Sequence, residues 1–189
     1  GFFSMMNQGD HGEAWLSPPS SVTDAQERQK HLAFFRKWTN WANERVEYMR
    51  VRRDVLGEPR MDGLDGTAHC IGGRGFLFLF NATPGDRIAR IPLNQWIGLN
   101  QGEEYILREI YPAESQSYGV YRRGEDVLAP VAFHDVTVLE VQPELGGESG
   151  RRPHIAPDVP IDSAFLNAKE VRAKLGPEMR IPGERKARR

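Results

Sequence analysis

The stretch "NQGDHGEAW" gathers Asn7, Gln8, Asp10, His11, Glu13 and Trp15. Amides and carboxylates pair with hydroxyls, and an indole face stacks on a sugar ring, so this loop has the make-up of a carbohydrate site. Asp10, His11, Glu13 and Trp15 are its substrate-binding candidates. The same residues also suit a solvated connection whose Trp15 packs on the helix that follows.

The other reactive side chains are more scattered. Asp62 and Asp65 stand three apart in "MDGLDG". Two carboxylates at that spacing could bind Ca²⁺ or move protons, but two acids fall short of the ligand number Ca²⁺ takes. Asp-Gly is a common turn pair, so a turn is the expectation. His69 and Cys70 are adjacent in a predicted strand and therefore face opposite sides. They cannot share a metal or act as base and nucleophile. Cys70 is expected as a small buried apolar residue and His69 as a hydrogen-bonded sheet histidine. His134-Asp135 lies at a turn, and a triad with Cys70 or a serine would need distant pieces to meet. There is no Gly-x-Ser-x-Gly elbow and no His-Glu-x-x-His spacing. Asn81-Ala82-Thr83 fits the Asn-x-Thr acceptor pattern, which is too common by chance to carry weight. None of these residues is expected to be catalytic, and no metal set and no cofactor is expected.

Bulk properties narrow the partners. The 189 residues suit one domain, or one domain with an appendage. Lys plus Arg number 25 against 26 Asp plus Glu, a net charge of -1, so no global field draws the chain to nucleic acid or an anionic membrane. Only the end, "GERKARR", is strongly basic, and a short basic tail is usually solvated. One cysteine precludes an intrachain disulfide but leaves the compartment open. No apolar run approaches the roughly 20 residues that span a bilayer. The opening "GFFSMMNQGDHGEAW" lacks the pattern of a signal peptide. Its apolar Phe2, Phe3, Met5 and Met6 would be costly in water. They are expected to be covered by sequence preceding Gly1; the alternative is an ordinary first strand behind a tag remnant.

The positioning elements fall into three stretches, 1–57, 58–143 and 144–189. In the first, Phe2 to Met6 read as a short strand, followed by the polar loop and a boundary at Pro18-Pro19. A long helix is predicted over 23–56, with Thr23 as N-cap, Gln26 in capping-box position and Gly57 as its stop. Leu32, Phe35, Trp38, Ala42, Val46 and Met49 form one face at helical spacing. Phe34, Trp41 and Tyr48, seven apart, form a second stripe, so the apolar arc is wide enough to contact two bodies.

From Thr67 the pattern changes to short strands: Thr67–Ile71, Gly75–Asn81, Arg87–Pro92, Glu104–Tyr111, Gly119–Arg123, Val127–Ala132 and Thr137–Gln142. Their Gly- and Asp-rich turns point to an antiparallel β-sandwich. "FLFLF" (Phe76 to Phe80) does not alternate and is expected to be buried on both faces, centrally in the sandwich or under the helix. Residues 144–189 read as an extended linker, one possible amphipathic helix capped by Asp162 or Ser163, and a flexible tail.

This order of pieces resembles the C-terminal end of bacterial α-galactosidase-like (β/α)8 glycoside hydrolases. Phe76, Leu77, Asn81, Pro92, Leu93, Gly98 and Leu99 match a cadence of that family, with Ala82 where the family usually has Pro. The resemblance spans about residues 1–143, and its motifs are structural. It implies that 1–57 is the end of the barrel and 58–143 the sandwich, mainly β with one long N-terminal helix. It implies a carbohydrate substrate bound through the rest of the barrel, on which this chain would pack. The two catalytic carboxylates sit at the ends of middle barrel strands in such enzymes, so they would lie upstream. The Asn7–Trp15 loop would at most reach the rim of the sugar site, and a periplasmic or extracellular location is expected.

Two other functions stay in view. One is a stand-alone sandwich that binds glycan or protein through a groove lined by Trp96, Tyr105, Tyr118 or Tyr121. The other, ranked last, is an independent hydrolase that uses His69 or His134.

Overall fold

The computed structural model describes residues 24–57, 62–114, 116–146 and 150–163. Within them the chain is mainly β, with two sheets and a helical arm. Helix α1 (Ala25–Asn43) is capped by Asp24, whose carboxylate accepts the Gln26 N–H at 2.7 Å. The expected cap, Thr23, lies outside the described residues. The helix does not run on to residue 56. It breaks at Arg45 (φ -122°) and resumes for one turn as α2 (Val46–Met49). Val46 and Met49 kept the helical spacing in sequence, but Val51 and Val55 flank a segment that favours an extended chain. Arg53–Asp54 accordingly form β1, which pairs with Ala68 and Thr67 at the sheet edge.

The large sheet holds six strands in the order β1-β2-β3-β8-β5-β6. These are β2 (Leu64–Ile71), β3 (Arg74–Asn81), β5 (Glu104–Tyr111), β6 (Gln116–Arg122) and β8 (Val136–Pro143) beside β1. Every pairing in it is antiparallel. The small sheet has the order β7-β4-β9: β7 (Asp126–Val131) runs antiparallel to β4 (Arg87–Pro92), and β9 (Ile161–Ser163) runs parallel to it. β1 and β9 are the strands the sequence did not suggest. Both are too short to show a period. The expected cap residue Asp162 sits within β9; the possible helix after it lies outside the described residues.

β2 begins at Leu64, three residues earlier than expected, which takes Asp65 out of the turn and into the ladder opposite Phe80. Only Asp62-Gly63 remain as the entry turn.

The "FLFLF" run sits between two layers. Leu77 and Leu79 face the small sheet, in a core with Ala89, Ile91, Val127 and Leu139. Phe76 and Phe78 face the helices, in a second cluster with Trp38, Ala42, Met49 and Val138. Phe34, Trp41 and Tyr48, the second helical stripe, pack against that same cluster. The tight turn after the 3₁₀ turn Gln95–Ile97 needs Gly98: its φ is 95°, and a Cβ there would come within 2.3 Å of the Cys70 carbonyl.

Candidate functional site

The substrate-binding candidates Asp10, His11, Glu13 and Trp15 lie outside the described residues. The site must therefore be sought among the polar groups that the two sheets and the helical arm position.

Alternation along β2 turns Asp65, Thr67 and His69 toward the helices and Cys70 toward the small sheet. The His69–Cys70 pair is thus split across the sheet, as their adjacency requires. His69 is fully buried. Its Nδ1 lies 3.2 Å from the Tyr48 carbonyl and its Nε2 lies 3.2 Å from Thr67 Oγ1. A carbonyl only accepts, so Nδ1 carries the hydrogen and Nε2 takes the Thr67 hydroxyl. Burial lowers the His69 pKa to about 4 and outweighs the Tyr48 hydrogen bond, which favours the charged ring. A neutral histidine with both nitrogens engaged is a structural clasp between α2 and β2. Burial pushes the Cys70 thiol up to about 12, which removes it as a thiolate nucleophile.

His134 is exposed, has φ 53°, and stacks on Phe133 at 4.1 Å. The register places it far from Cys70. Val136, next to the His134 turn, neighbours Phe80, whereas Cys70 lies opposite Gly75. Five residues of strand separate the two, roughly 17 Å at the usual rise. No triad forms.

Among the described residues Glu109 is the one carboxylate that is buried, at 7% exposure. Its Oε1 accepts the Ala113 N–H and its Oε2 the Tyr118 hydroxyl, both at 2.9 Å. Burial, and then the adjacent Glu109 charge, raise the Tyr118 pKa, so the phenol stays a donor. Sequence reasoning missed this pair. The signal was present: Tyr105, Leu107 and Glu109 share one face of β5, and an acid among inward positions must have a partner.

Asn81 is likewise buried and saturated. Its amide nitrogen donates to the carbonyls of Gly85, Val131 and Ala132, and its oxygen accepts from the Thr83 N–H and hydroxyl. The Asn-x-Thr pattern is a knot that joins two strand ends, and its amide has no hydrogen left over for a glycan linkage.

Asp65 is half-buried, and burial raises its pKa, the nearby Asp54 adding to the effect against the Gly66 N–H. No group of three or more His, Cys, Asp or Glu that could hold a metal exists among the described residues.

Openings lie among the described residues, two of them as follows. A polar cleft of about 620 Å³ is lined by Glu103, Glu104, Arg122, Arg123 and Glu144. An apolar groove of about 450 Å³ lies on α1 between Lys30, His31, Phe34 and Phe35. The aromatic groove expected of a glycan-binding module is absent in that form. Tyr105, Tyr118 and Tyr121 are at most 2% exposed, and Trp96 is half-buried.

No family model matches the chain, and no curated protein matches it in sequence. Among solved structures it is similar to a putative α-N-acetylgalactosaminidase from Bacillus halodurans C-125, at 16% identity over 60% of this chain and 26% of that one, with a TM-score of 0.41. It is also similar to a GH27 β-L-arabinopyranosidase from Geobacillus stearothermophilus, at 15% identity over 56% of this chain and 23% of that one, with a TM-score of 0.39. A second structure of that enzyme, in complex with arabinose, gives 15% identity and the same TM-score, 0.39. These neighbours are glycoside hydrolases, and the match spans about a quarter of their length.

Proposed function

We propose that the chain is the C-terminal, non-catalytic β-sandwich portion of an α-galactosidase-like glycoside hydrolase. Its catalytic carboxylates lie upstream, on a (β/α)8 barrel against which the chain packs. The observation that best supports this reading is the job done by the residues of the family cadence. Phe76 and Leu77 fill the two faces of the central strand, Asn81 knots its end, Pro92-Leu93 close β4, and Gly98-Leu99 make the tight turn against Cys70. All are structural. The buried acid Glu109 has both oxygens engaged, so it is not poised to attack or protonate a glycosidic bond.

The stand-alone binding module is the second reading. It retains Trp96 as a partly open aromatic, while the three tyrosines it relied on are buried.

The test compares this chain alone with the product of its full open reading frame, on aryl glycosides of galactose, N-acetylgalactosamine and arabinose. The chain alone should be inert and the longer product active. Amide variants of two upstream barrel carboxylates should abolish that activity. Hydrolysis by the chain itself would sink the reading. A frame that encodes no barrel upstream would give first place to the binding module.

A further inference from the structure

The chain beyond β8 comes back along the open edge of the sandwich. Gly150 lies against Gly119 of β6: a Cβ on Gly150 would meet Ser117 Oγ at 1.9 Å and Gly119 Cα at 2.8 Å. The two backbones cross in direct contact, which only glycine allows. Two residues on, the Arg152 guanidinium lies 4.1 Å from the centre of the Tyr121 ring. Its Nη1 donates to Glu125 Oε1 at 2.5 Å and its Nη2 to the Val120 carbonyl at 2.8 Å.

At the far end, β9 pairs with β4, and Asp162 Oδ2 sits 3.4 Å both from the Leu64 N–H and from Arg87 Nη1. The segment 150–163 is therefore a strap held at both ends, with prolines at 153, 157 and 160 between them. Beneath its first end lies Tyr121, 2% exposed.

The three partners of Arg152 match a guanidinium and no other side chain. A flat cation stacks on a ring face while its fork sends two N–H groups outward in one plane. An ammonium can approach the carboxylate or the ring, but it has no plane to stack and no fork to divide between carboxylate and carbonyl.

We propose that the Tyr121 ring, the Glu125 carboxylate and the Val120 carbonyl form an arginine-reading site, with Arg152 as its built-in ligand latching the strap over the sandwich edge. The occupant that displaces the latch is an arginine on an extended peptide segment of a partner, which replaces the strap's first residues. Displacement uncovers Tyr121. Arg152 is half exposed, at 50% for its side chain, so the latch is a reversible one.

The test is hydrogen exchange on the full chain, read at residues 150–160 and 118–121, with β3 amides as the internal reference. Arg152→Ala should raise exchange at the strap about threefold to thirtyfold, the range for losing an exposed cation–π contact together with an ion pair. Arg152→Lys should recover only part of that protection, and β3 should not change. In the wild-type chain, tens of millimolar N-acetylarginine amide should speed strap exchange, whereas N-acetyllysine amide should not. Unchanged strap exchange in Arg152→Ala would overturn the latch. Equal effects of the two amides, or none from either, would overturn arginine reading. Should Arg152→Ala loosen β3 as well, the wild-type competition alone decides.

Discussion

Strand β3 has two different neighbourhoods on its two faces. Leu77 and Leu79 point into a mainly aliphatic core between the two sheets, where Ile91 and Val127 of the small sheet and Leu139 and Val141 of the large one are all fully buried. Phe76 and Phe78 point into an aromatic cluster under the helical arm, where Trp41 meets Phe76 at 4.7 Å and Phe78 at 6.4 Å, and Tyr48 meets Phe76 at 5.5 Å. The inner face is closed by strands that are hydrogen-bonded into sheets. The outer face is closed by side chains of the helical arm, α1 and α2, and several of these (Phe34, Trp41 and Tyr48) stay half-buried. Large aromatics with edge-to-face contacts and an incomplete cover are the make-up of a docked interface rather than of a sealed core. The inner face holds the sandwich together; the outer face fastens something to it.

Adjacent substitutions on β3 probe that difference most strongly. Phe78→Ala removes a fully buried ring and should cost about 3–5 kcal/mol; Leu77→Ala should cost about 2–5 kcal/mol. Chemical denaturation measures both. The comparison sharpens in native-state hydrogen exchange. Leu77→Ala should loosen β4 and β7 together with β3, whereas Phe78→Ala should loosen the helix first. Identical exchange patterns would mean that the two faces form one cooperative core.

Trp41→Ala should come next, at about 2–3 kcal/mol, below the fully buried range because the indole is only partly covered. It should release α1 while β3, β4 and β7 keep their protection. Loss of protection across both sheets would show that the helical arm is integral to the sandwich.

Much of this two-faced arrangement was legible in the sequence. The lack of alternation in "FLFLF" demands two apolar neighbours. The second body expected for the stripe Phe34, Trp41 and Tyr48 is not what the described residues show: this stripe packs on the same cluster as Trp38, Ala42 and Met49. The helix end was not legible, because Val46 and Met49 continue the helical period across the break at Arg45. Nor were β1 and β9, whose two and three residues take their conformation from the edges they join. Of the candidate site, the separation of His69 from Cys70 followed from strand alternation alone. The inward place of Glu109 on β5 was legible too, but not that Tyr118 is its partner, nor the Arg152 cradle, since these depend on residues brought together by register and by a returning chain.

Asn81→Ala tests the knot between the two sheets. It strips the Thr83 N–H of its acceptor and removes one donor from the Gly85, Val131 and Ala132 carbonyls, of which Gly85 can still take the Thr83 hydroxyl and Ala132 the Asp135 N–H; it should cost about 2 kcal/mol by thermal or urea unfolding. A cost below about 0.5 kcal/mol would mean that water replaces the amide freely.

His69 gives the outer face a pH dependence. Its folded pKa, about 4, lies below the ordinary 6.5, so between those values the unfolded chain binds more protons. Stability from this group is complete above pH 6.5 and is lost as pH falls toward 4. The expected loss between pH 7 and pH 5 is about 2 kcal/mol. His69→Asn, which keeps a donor for the Tyr48 carbonyl, should flatten that slope in urea midpoints taken at the two pH values. A wild-type slope that persists in the variant would assign the dependence to other groups.

The smallest effect separates charge from packing in holding the helix down. Lys37 on α1 forms an ion pair with Glu114 in the loop after β5, and their side chains are 52% and 71% exposed. Such a pair is solvated and screened, so Glu114→Gln should change stability by less than about 0.5 kcal/mol. The aromatic cluster a turn away should then account for nearly all of the docking. If instead Glu114→Gln released α1 in exchange experiments as fully as Trp41→Ala, the outer face would be an electrostatic seam, and raising the salt concentration should detach the helix while the inner core remained intact.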